Sequence, residues 1–173
     1  MWHSSGVSLA RDDLLDRARR VRLCAFDVDG VLTDGRLVYG PQGEAFKTFN
    51  VRDGHGIVLL RLAGVECAVL SGRESEIVRT RMRELGVYRV YQGERDKADA
   101  FGRLCRAAAV TPSEVAYMGD DVNDVPVLER CALAACPADA CAEAKERAHL
   151  VARAGGGLGA ARELCDLILE ARR

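Results

Sequence analysis

The chain has 173 residues, a length typical of one compact domain. Its 25 Lys and Arg residues nearly balance its 26 Asp and Glu residues, and a net charge of -1 gives no electrostatic basis for a nucleic-acid or polybasic membrane partner. Hydrophobic residues make up 49% of the sequence, but charges interrupt every apolar run before it reaches the roughly 18 residues of a membrane span. We therefore expect a soluble domain whose function depends on local chemistry.

The predicted elements begin with loose helical periodicity in residues 1–20, which we interpret as a helical extension without the apolar stretch of a secretory signal. Residues 21–173 form the predicted main domain, which begins with a buried strand at residues 22–27 and continues into a projecting β-hairpin at about residues 36–51. Helical and strand patterns then alternate, with helices at residues 57–62, 75–85 and 97–108 and strands at residues 65–70, 87–91 and 115–118. This alternation predicts an α/β fold in which a parallel sheet is flanked by helices.

The last third of the chain continues this pattern less clearly. Thr111 to Glu114 has the composition of a helix start, with a hydroxyl cap followed by proline. A further helix is predicted near residues 125–131, short apolar segments lie at residues 132–135 and 149–151, and a final helix follows the glycine-rich residues 155–159. We therefore expect the same layered architecture to extend to the end of the chain.

Seven cysteines without close-spaced pairs do not suit a disulfide framework, and they favour a reducing, cytoplasmic location. Cys131, Cys136 and Cys141 are spaced more widely than the ligands of a typical structural zinc site. We interpret these three as small buried hydrophobic residues.

Polar residues follow four of the predicted strands. Ligands of open α/β sheets bind beyond the carboxyl ends of the strands, so these residues are functional candidates. Ordinary turn chemistry explains any one of the segments, but their joint occurrence in this order is much less expected by chance. The segments are Asp27-Val-Asp-Gly-Val-Leu-Thr-Asp-Gly35, Ser71-Gly-Arg73, Asp96-Lys97 and Gly119-Asp-Asp-Val-Asn-Asp124.

Asp27 and Asp29 stand two residues apart where the first strand ends. In this arrangement one carboxylate can attack a substrate while the other transfers a proton. A calcium-binding EF-hand loop that starts at Asp27 is excluded, because Val31, Leu32 and Val38 occupy positions that require an oxygen ligand, glycine and glutamate.

Several carboxylates are expected to meet at one sheet edge, where unpaired charges of the same sign repel strongly. They are Asp27, Asp29, Asp120, Asp121 and Asp124. A divalent cation resolves this repulsion, and carboxylate oxygens suit magnesium. Lys97 and Ser71 then supply a positive charge and a hydroxyl donor for phosphoryl oxygens. The pattern predicts a magnesium-dependent site for phosphoryl transfer.

The four segments together resemble the ordered motifs of the haloacid dehalogenase superfamily phosphatases. From about Leu23 to Arg173 the chain more narrowly resembles the 3-deoxy-D-manno-octulosonate 8-phosphate (KDO 8-phosphate) phosphatases of lipopolysaccharide synthesis. The segments that carry this narrower match are Phe49-Asn-Val-Arg-Asp-Gly-His-Gly56, Tyr91-Gln-Gly93 and Ala160-Ala-Arg-Glu-Leu-Cys-Asp166. The resemblance implies a Rossmann-like fold and hydrolysis of a sugar phosphate.

The resemblance also implies roles for the candidate residues. Asp27 is the nucleophile that becomes an aspartyl phosphate, and Asp29 is the acid for the leaving alcohol and then the base for water. Magnesium would be bound by the Asp27 carboxylate, the Asp29 main-chain carbonyl and Asp120. Asp121 would lie just outside these ligands, Asp124 would orient Lys97, and Ser71, Gly72 and Lys97 would bind the phosphoryl group.

A KDO phosphate carries a carboxylate, which a fork-like cation can bind in a bidentate manner. Arg73, next to the phosphate-binding turn, and Arg81, on the following helix, are the candidates, although Arg81 equally fits a solvated helix face. Three further residues follow the hairpin and are expected to contact either the substrate or a neighbouring subunit: Arg52, Asp53 and His55. We interpret His3 and His149 as bystanders.

No cap domain fits into the chain. Only 43 residues separate Asp27 from Ser71 and 25 separate Ser71 from Lys97, and the predicted elements use nearly all of them. An uncapped site accepts bulky substrates or borrows a lid, and an exposed hairpin favours association with other chains. The resemblance implies a homotetramer in which the hairpins assemble at the centre and a neighbour's carboxyl-terminal tail helps to cover each site.

Two alternatives stay open. Phosphatases of nine-carbon acidic sugars, such as KDN or sialic acid 9-phosphate, share the whole catalytic set. A non-catalytic oligomerisation module, like the one attached to vertebrate CMP-sialic acid synthetases, agrees less well with the intact acidic cluster. The chain also departs from the KDO 8-phosphate phosphatase pattern, since Leu158 replaces the usual arginine and the tail stops at Arg173, earlier than in several relatives.

Overall fold

The computed structural model describes residues 10–173, so His3 lies outside the described part of the chain. The strands are β1 Leu23–Phe26, β2 Val38–Gly40, β3 Gly43–Phe46, β4 Glu66–Leu70, β5 Arg89–Tyr91, β6 Val115–Met118, β7 Leu133–Cys136 and β8 Leu150–Val151. The helices are α1 Arg11–Arg19, α2 Val51–Leu62, α3 Glu76–Glu84, α4 Lys97–Ala108, α5 Val125–Leu128, α6 Ala142–Arg147 and α7 Ala160–Glu170.

Six strands form one parallel sheet in the order β5-β4-β1-β6-β7-β8, while β2 and β3 form a separate antiparallel hairpin. The central strand β1 is buried throughout, and its side chains alternate between the two faces of the sheet. Cys24 and Phe26 join a core on the side of α1, α2, α3 and α7, whereas Leu23 and Ala25 join a second core on the side of α4, α5 and α6. The prediction of a helix-flanked parallel sheet is therefore confirmed.

Helix α1 lies in the segment that we interpreted as an extension, and it packs against α7. Leu14 and Ala18 are buried in the same core as Leu164 and Ile168 of that last helix. The apolar stripe of α1 is thus part of the main core of the protein.

The strands of the hairpin span only residues 38–46 of the predicted range, and α2 begins at Val51 and not at Ile57. Asn50 caps this helix by accepting a hydrogen bond from the Arg52 backbone N–H at 2.8 Å. Two glycines in its first turns conceal the helical pattern in the sequence. One of them, Gly56, allows close packing on α7, since a Cβ there would lie 3.1 Å from the Cβ of Cys165.

The last third of the chain also differs from the predicted boundaries. The apolar segments near residues 132–135 and 149–151 are strands β7 and β8, which extend the sheet. Thr111 to Glu114 forms a single 3-10 turn that leads directly into β6, and α5 stops at Leu128. Two of the four residues of β7 are alanine, which has low strand propensity. The burial of β7 between neighbouring strands therefore determines its conformation.

The cysteines in the described part of the chain are all free thiols. Cys131 and Cys136 are buried, as we expected for small hydrophobic residues. Cys141 differs because it is only half-buried, and its Sγ accepts a hydrogen bond from the Ala144 N–H at the start of α6.

Between β1 and β4 the chain forms only the hairpin and α2, and between β4 and β5 it forms only α3. This part of the chain therefore contains no cap domain. Across residues 10–173, no helix combines the length and apolarity needed to cross a bilayer.

Candidate active site

The carboxyl ends of β1, β4 and β6 meet at one edge of the sheet and form a cleft of about 180 Å³. Backbone hydrogen bonds between neighbouring strands continue into the residues that follow β1 and β4. The Asp27 N–H donates to the Met118 carbonyl and the Ser71 N–H donates to the Tyr91 carbonyl, both at 2.9 Å. The cleft is lined by Asp27, Asp29, Ser71, Gly72, Arg73, Asp120, Asp121 and Asn123. Of these residues, only Asn123 was absent from the sequence-based candidates.

Three carboxylates lie together at the bottom of this cleft. Asp27, Asp120 and Asp124 each provide an oxygen within 4.8 Å of the other two. Burial, with the charge of Asp124, raises the pKa of Asp27 to about 6, and burial, with the charges of Asp27 and Asp124, raises the pKa of Asp120 to about 8. The protein alone therefore stabilises this concentration of negative charge poorly.

The cluster fits a divalent cation. Asp120 Oδ1 is buried without a hydrogen-bond partner, so one oxygen is available next to the carboxylate of Asp27. Gly30 packs closely on Asp120, since a Cβ at this position would lie 2.1 Å from Asp120 Oδ2, and its φ of +93° also favours glycine. A larger residue at position 30 would therefore displace the Asp120 carboxylate.

Asp124 lies in the same cluster but is occupied by other contacts. It is fully buried and accepts hydrogen bonds from Lys97 Nζ at 2.5 Å, from the Asp120 N–H at 3.0 Å and from the Asp121 N–H at 3.2 Å. These bonds suit the predicted orienting role better than direct metal binding. The Asp121 side chain instead accepts from the Val122 N–H at the exposed start of a 3-10 turn.

Lys97 is the first residue of α4 and is buried beneath the carboxylates. Its Nζ lies 2.9 Å from Asp27 Oδ2, in addition to its contact with Asp124. Burial alone would lower the pKa of Lys97, but the charges of Asp27 and Asp124 outweigh that effect and raise it. Lys97 is therefore a fixed cation beside the candidate nucleophile.

Ser71 and Arg73 form the wall of the cleft that follows β4. Ser71 is buried, and its Oγ accepts a hydrogen bond from the Arg73 N–H at 3.3 Å. The Arg73 side chain is 42% exposed, and its Nε lies 3.7 Å from Asp29 Oδ2. Arg73 therefore presents a cation at the mouth of the cleft.

The hairpin contributes residues that the sequence motifs did not indicate. The Lys47 side chain is 1% exposed, and its Nζ lies 2.5 Å from Asp29 Oδ1 and 2.9 Å from Glu44 Oε1. The Tyr39 hydroxyl accepts a hydrogen bond from Arg73 at 3.0 Å. Asp29 is thus held from both the hairpin and the turn after β4. Lys47 follows a short strand and matches no spacing rule, so only the folded hairpin reveals its position.

Four of the predicted substrate-contacting residues lie outside this cleft. Arg81 lines a groove with Phe49 and Ile77 and pairs with Glu84 at 3.1 Å, while Arg52 and His55 are exposed on α2. Asp53 is buried, and its Oδ1 accepts from the Arg162 N–H at 2.8 Å. The Asp53 carboxylate thus binds the backbone at the start of α7, within the subunit, and does not line this cleft.

The glycine-rich segment supports the loop that follows Asp27. The Gly157 N–H donates to the Val31 carbonyl at 2.8 Å, and a Cβ on Gly156 would lie 1.9 Å from the Gly30 carbonyl oxygen. Leu158, at the position where we noted a departure from the family pattern, is 60% exposed. His149 lies away from the cleft, and its Nδ1 accepts from the Ala134 N–H.

Comparisons with known proteins agree with this geometry. A family model for haloacid dehalogenase-like hydrolases matches residues 44–131. The KDO 8-phosphate phosphatase KdsC of Yersinia pestis is 44% identical over 161 residues, which cover 93% of this chain and 86% of that protein.

Two solved structures are similar over most of their length. The Moraxella catarrhalis KDO 8-phosphate phosphatase, in complex with magnesium, phosphate and KDO, has a TM-score of 0.90 at 34% identity and covers 92% of each chain. The cobalt-bound Haemophilus influenzae phosphatase has a TM-score of 0.88 at 42% identity and covers 90% of this chain and 91% of that one.

The parallel sheet and the acidic cluster at its carboxyl edge are those of a haloacid dehalogenase-like hydrolase. The chain belongs to that superfamily and, within it, to the KDO 8-phosphate phosphatase family. The resemblance based on the four motifs is therefore confirmed.

Proposed function

We propose that the protein is a magnesium-dependent phosphomonoesterase that hydrolyses KDO 8-phosphate to KDO and phosphate in lipopolysaccharide precursor synthesis. The observation that carries this proposal is the position of Asp27, whose carboxylate faces Lys97 at 2.9 Å and lies beside the unpartnered buried oxygen of Asp120. The family relatives named as KDO 8-phosphate phosphatases support the substrate. A cytoplasmic location agrees with the free thiols.

Asp27 acts as the nucleophile. Its Oδ1 accepts a hydrogen bond from the Val28 N–H at 2.7 Å, which holds the carboxylate in one orientation. An Asp27 oxygen forms a bond to phosphorus while the bond from phosphorus to the sugar oxygen breaks, and Lys97 neutralises charge on the phosphoryl oxygens. Ser71 and Gly72, at the cleft wall, bind the same phosphoryl group.

Asp29 moves the protons of both steps. It first donates a proton to the leaving sugar oxygen, and it then accepts a proton from the water that attacks phosphorus and releases Asp27. Lys47 holds Oδ1 of Asp29, whereas Arg73 Nε lies 3.7 Å from Oδ2, beyond hydrogen-bond distance. Oδ2 can therefore carry the proton for the leaving group.

Magnesium would be held by the carboxylates of Asp27 and Asp120 together with the main-chain carbonyl of Asp29, and Asp121 lies at the adjacent rim. When bound, it would neutralise the charge on the nucleophile and on the phosphoryl group. Asp124 keeps Asp120 in position through the Asp120 backbone N–H.

Arg73 is the proposed partner of the substrate carboxylate, because it is the partly exposed cation at the cleft mouth. We also propose a homotetramer that covers the open cleft. Hairpin residues Leu37, Tyr39 and Phe46 are exposed by 43%, 62% and 56%, which suits an interface between copies. Arg52, His55 and Arg81 are then available to contact a neighbouring subunit.

A phosphatase of a nine-carbon acidic sugar, acting on KDN or sialic acid 9-phosphate, is the second candidate. It is favoured by the exposed Leu158, which replaces a cation in the family pattern. The catalytic steps would be the same, and only the contacts to the sugar would differ.

A substrate panel tests the proposal. The purified protein is assayed for phosphate release from KDO 8-phosphate, KDN 9-phosphate, sialic acid 9-phosphate and glucose 6-phosphate, with magnesium and with excess chelator. We expect the highest kcat/KM for KDO 8-phosphate and loss of turnover in chelator. Preference for glucose 6-phosphate would refute the assignment to acidic sugars, and full activity in chelator would refute the metal requirement.

A further inference from the structure

Tyr117 places a hydroxyl group in the interior directly below the active site. It lies in β6, is fully buried, and packs among Phe101, Leu104 and Leu128 in the core on one side of the sheet. A hydroxyl group at such a position is unfavourable unless it finds a partner. The partner is Asp124, whose Oδ1 lies 2.5 Å from the Tyr117 oxygen.

The two carboxylate oxygens of Asp124 accept hydrogen bonds from different groups. Oδ2 accepts the backbone N–H groups of Asp120 and Asp121, which shape the acidic loop. Oδ1 accepts hydrogen bonds from both Lys97 Nζ and the Tyr117 hydroxyl. The pKa of Tyr117 is raised well above its usual value by burial and by the charges of Asp124 and Asp27, so the hydroxyl keeps its proton and remains a donor.

Lys97 is shared between Asp124 and Asp27, with Nζ closer to Asp124. Both Lys97 and Tyr117 donate hydrogen bonds to Asp124 Oδ1. Because the Tyr117 hydroxyl partly neutralises the negative charge on this oxygen, Oδ1 attracts the Lys97 ammonium group less strongly. The carboxylate is also restrained in rotation, because Oδ1 is bound by two side chains while Oδ2 accepts hydrogen bonds from two backbone N–H groups. Without the Tyr117 hydroxyl, Lys97 would be the only side-chain donor to Asp124 Oδ1, and its ammonium group would move closer to Asp124 and away from Asp27.

We propose that Tyr117 is a positioning residue for the phosphatase reaction, because its hydroxyl holds Asp124 Oδ1 so that Lys97 stays against the nucleophile Asp27. The inference rests on the proposed function, and it adds a residue outside the four motifs. Tyr117 contacts neither the cleft nor Asp27, so it acts only through Asp124.

Tyr117→Phe tests this role, since it removes one oxygen and keeps the ring that fills the core. We expect kcat to fall about tenfold while KM changes less than about threefold, because a displaced Lys97 disturbs the reacting geometry. Tyr91→Phe is the matched control, since Tyr91 lies on the edge strand β5, which β4 and β1 separate from β6, and its ring lies beside Arg103. This variant should leave kcat unchanged. An unchanged kcat in Tyr117→Phe would overturn the inference.

A double-mutant comparison separates positioning from general destabilisation. If Tyr117 acts through Lys97, then adding Tyr117→Phe to Lys97→Ala should cause no further loss of kcat. A merely structural role would cause the same tenfold loss in both backgrounds, and that result would overturn the inference.

Crystal structures of the wild type and of Tyr117→Phe provide a test that does not depend on activity. We expect Lys97 Nζ to move away from Asp27 Oδ2 by about 0.5 Å or more in the variant. An unchanged position of Lys97 would overturn the inference even if the wild type is active. Absence of phosphatase activity in the wild type would instead refute the proposed function, and the displacement of Lys97 would still decide the role of Tyr117.

Discussion

At the scale of single residues, the Asp29 carboxylate is contacted by a cation from the hairpin as well as by Arg73, which follows β4. Lys47 reaches it from the hairpin with a side chain that is only 1% exposed. Burial alone would lower the pKa of Lys47, but its bonds to Asp29 and Glu44 raise it, so Lys47 is a cation. The orientation of the proposed acid therefore depends on the hairpin.

Replacing Lys47 by methionine should keep the aliphatic stem and remove the charge. We expect kcat for KDO 8-phosphate to fall by about 10²-fold, because a sugar alkoxide requires a well-placed acid. The loss for p-nitrophenyl phosphate should be much smaller, since its leaving group needs little protonation. Lys145→Met, on α6, is the matched control and should affect neither substrate. Equal losses on both substrates would contradict this role for Lys47.

Residues that directly follow strands were the ones that the sequence could predict. Asp27, Ser71 and Asp120 meet because neighbouring parallel strands end at the same sheet edge. Lys47 and Tyr117 could not be predicted in this way. The position of Lys47 depends on how the hairpin folds back, and Tyr117 is one of many apolar-patterned residues of a buried strand.

At the scale of elements, the contact between α2 and α7 depends on a glycine. A Cβ at Gly56 would lie 2.9 Å from Arg162 Cδ and 3.1 Å from Cys165 Cβ. At Gly102 in α4, the nearest atom to an added Cβ is the flexible end of Arg106 at 3.5 Å. Identical substitutions in these two helices should therefore have opposite effects.

We expect Gly102→Ala to raise the free energy of unfolding by about 0.5 to 1 kcal/mol, because alanine favours the helix. Gly56→Ala should lower it by about 1 kcal/mol or more, because the added methyl group forces α2 and α7 apart. Urea unfolding of both variants and the wild type measures these changes. Stabilisation by Gly56→Ala would show that the packing of α2 on α7 is looser than the structure indicates.

His149 links the start of β8 to β7, and the link depends on pH. Its Nδ1 accepts the Ala134 N–H at 2.9 Å, which requires the neutral ring. Burial, followed by the charge of Arg17, lowers the pKa of His149 in the folded protein. The unfolded chain therefore binds a proton at His149 more readily than the folded protein does. The contribution of His149 to the free energy of unfolding is complete above about pH 6.5, and it is lost as the pH falls through the pKa of His149 in the folded protein.

His149→Asn should keep an acceptor for the Ala134 N–H without a titrating group. We expect urea midpoints of the wild type to fall more steeply than those of the variant between pH 7 and pH 5. All other titrating groups are common to both proteins. Parallel curves of urea midpoint against pH would therefore show that His149 does not contribute to the pH dependence of stability.

The boundaries of the elements show why local patterns were insufficient. The pattern predicted α4 correctly from Lys97 to Ala108, because an apolar stripe and an Asp96 cap agree there. The start of α2 was missed, since Gly54 and Gly56 serve packing on α3 and α7 and interrupt the apolar pattern. The alanine-rich strand β7 is determined by its neighbours in the sheet.

At the scale of the whole molecule, the open cleft and the exposed hairpin lead to the proposed homotetramer. Phe46 is 56% exposed on β3, whereas Leu62 is 80% exposed at the end of α2. We expect Phe46→Glu to weaken assembly and Leu62→Glu to leave it intact, because a charge is unfavourable only where a partner buries it. Sedimentation velocity of the three proteins measures this, and a monomeric, fully active wild type would contradict the proposed assembly.

Transient phosphorylation of Asp27 is the step on which the proposed mechanism depends, and acid quenching during turnover can detect it. The enzyme is mixed with magnesium and KDO 8-phosphate, quenched within the first turnovers, and digested for peptide mass spectrometry. We expect a phosphoryl group on Asp27 that requires magnesium, and we expect Asp27→Asn to lose both this group and phosphate release. A phosphoryl group on another residue, or sustained phosphate release by Asp27→Asn, would exclude Asp27 as the nucleophile.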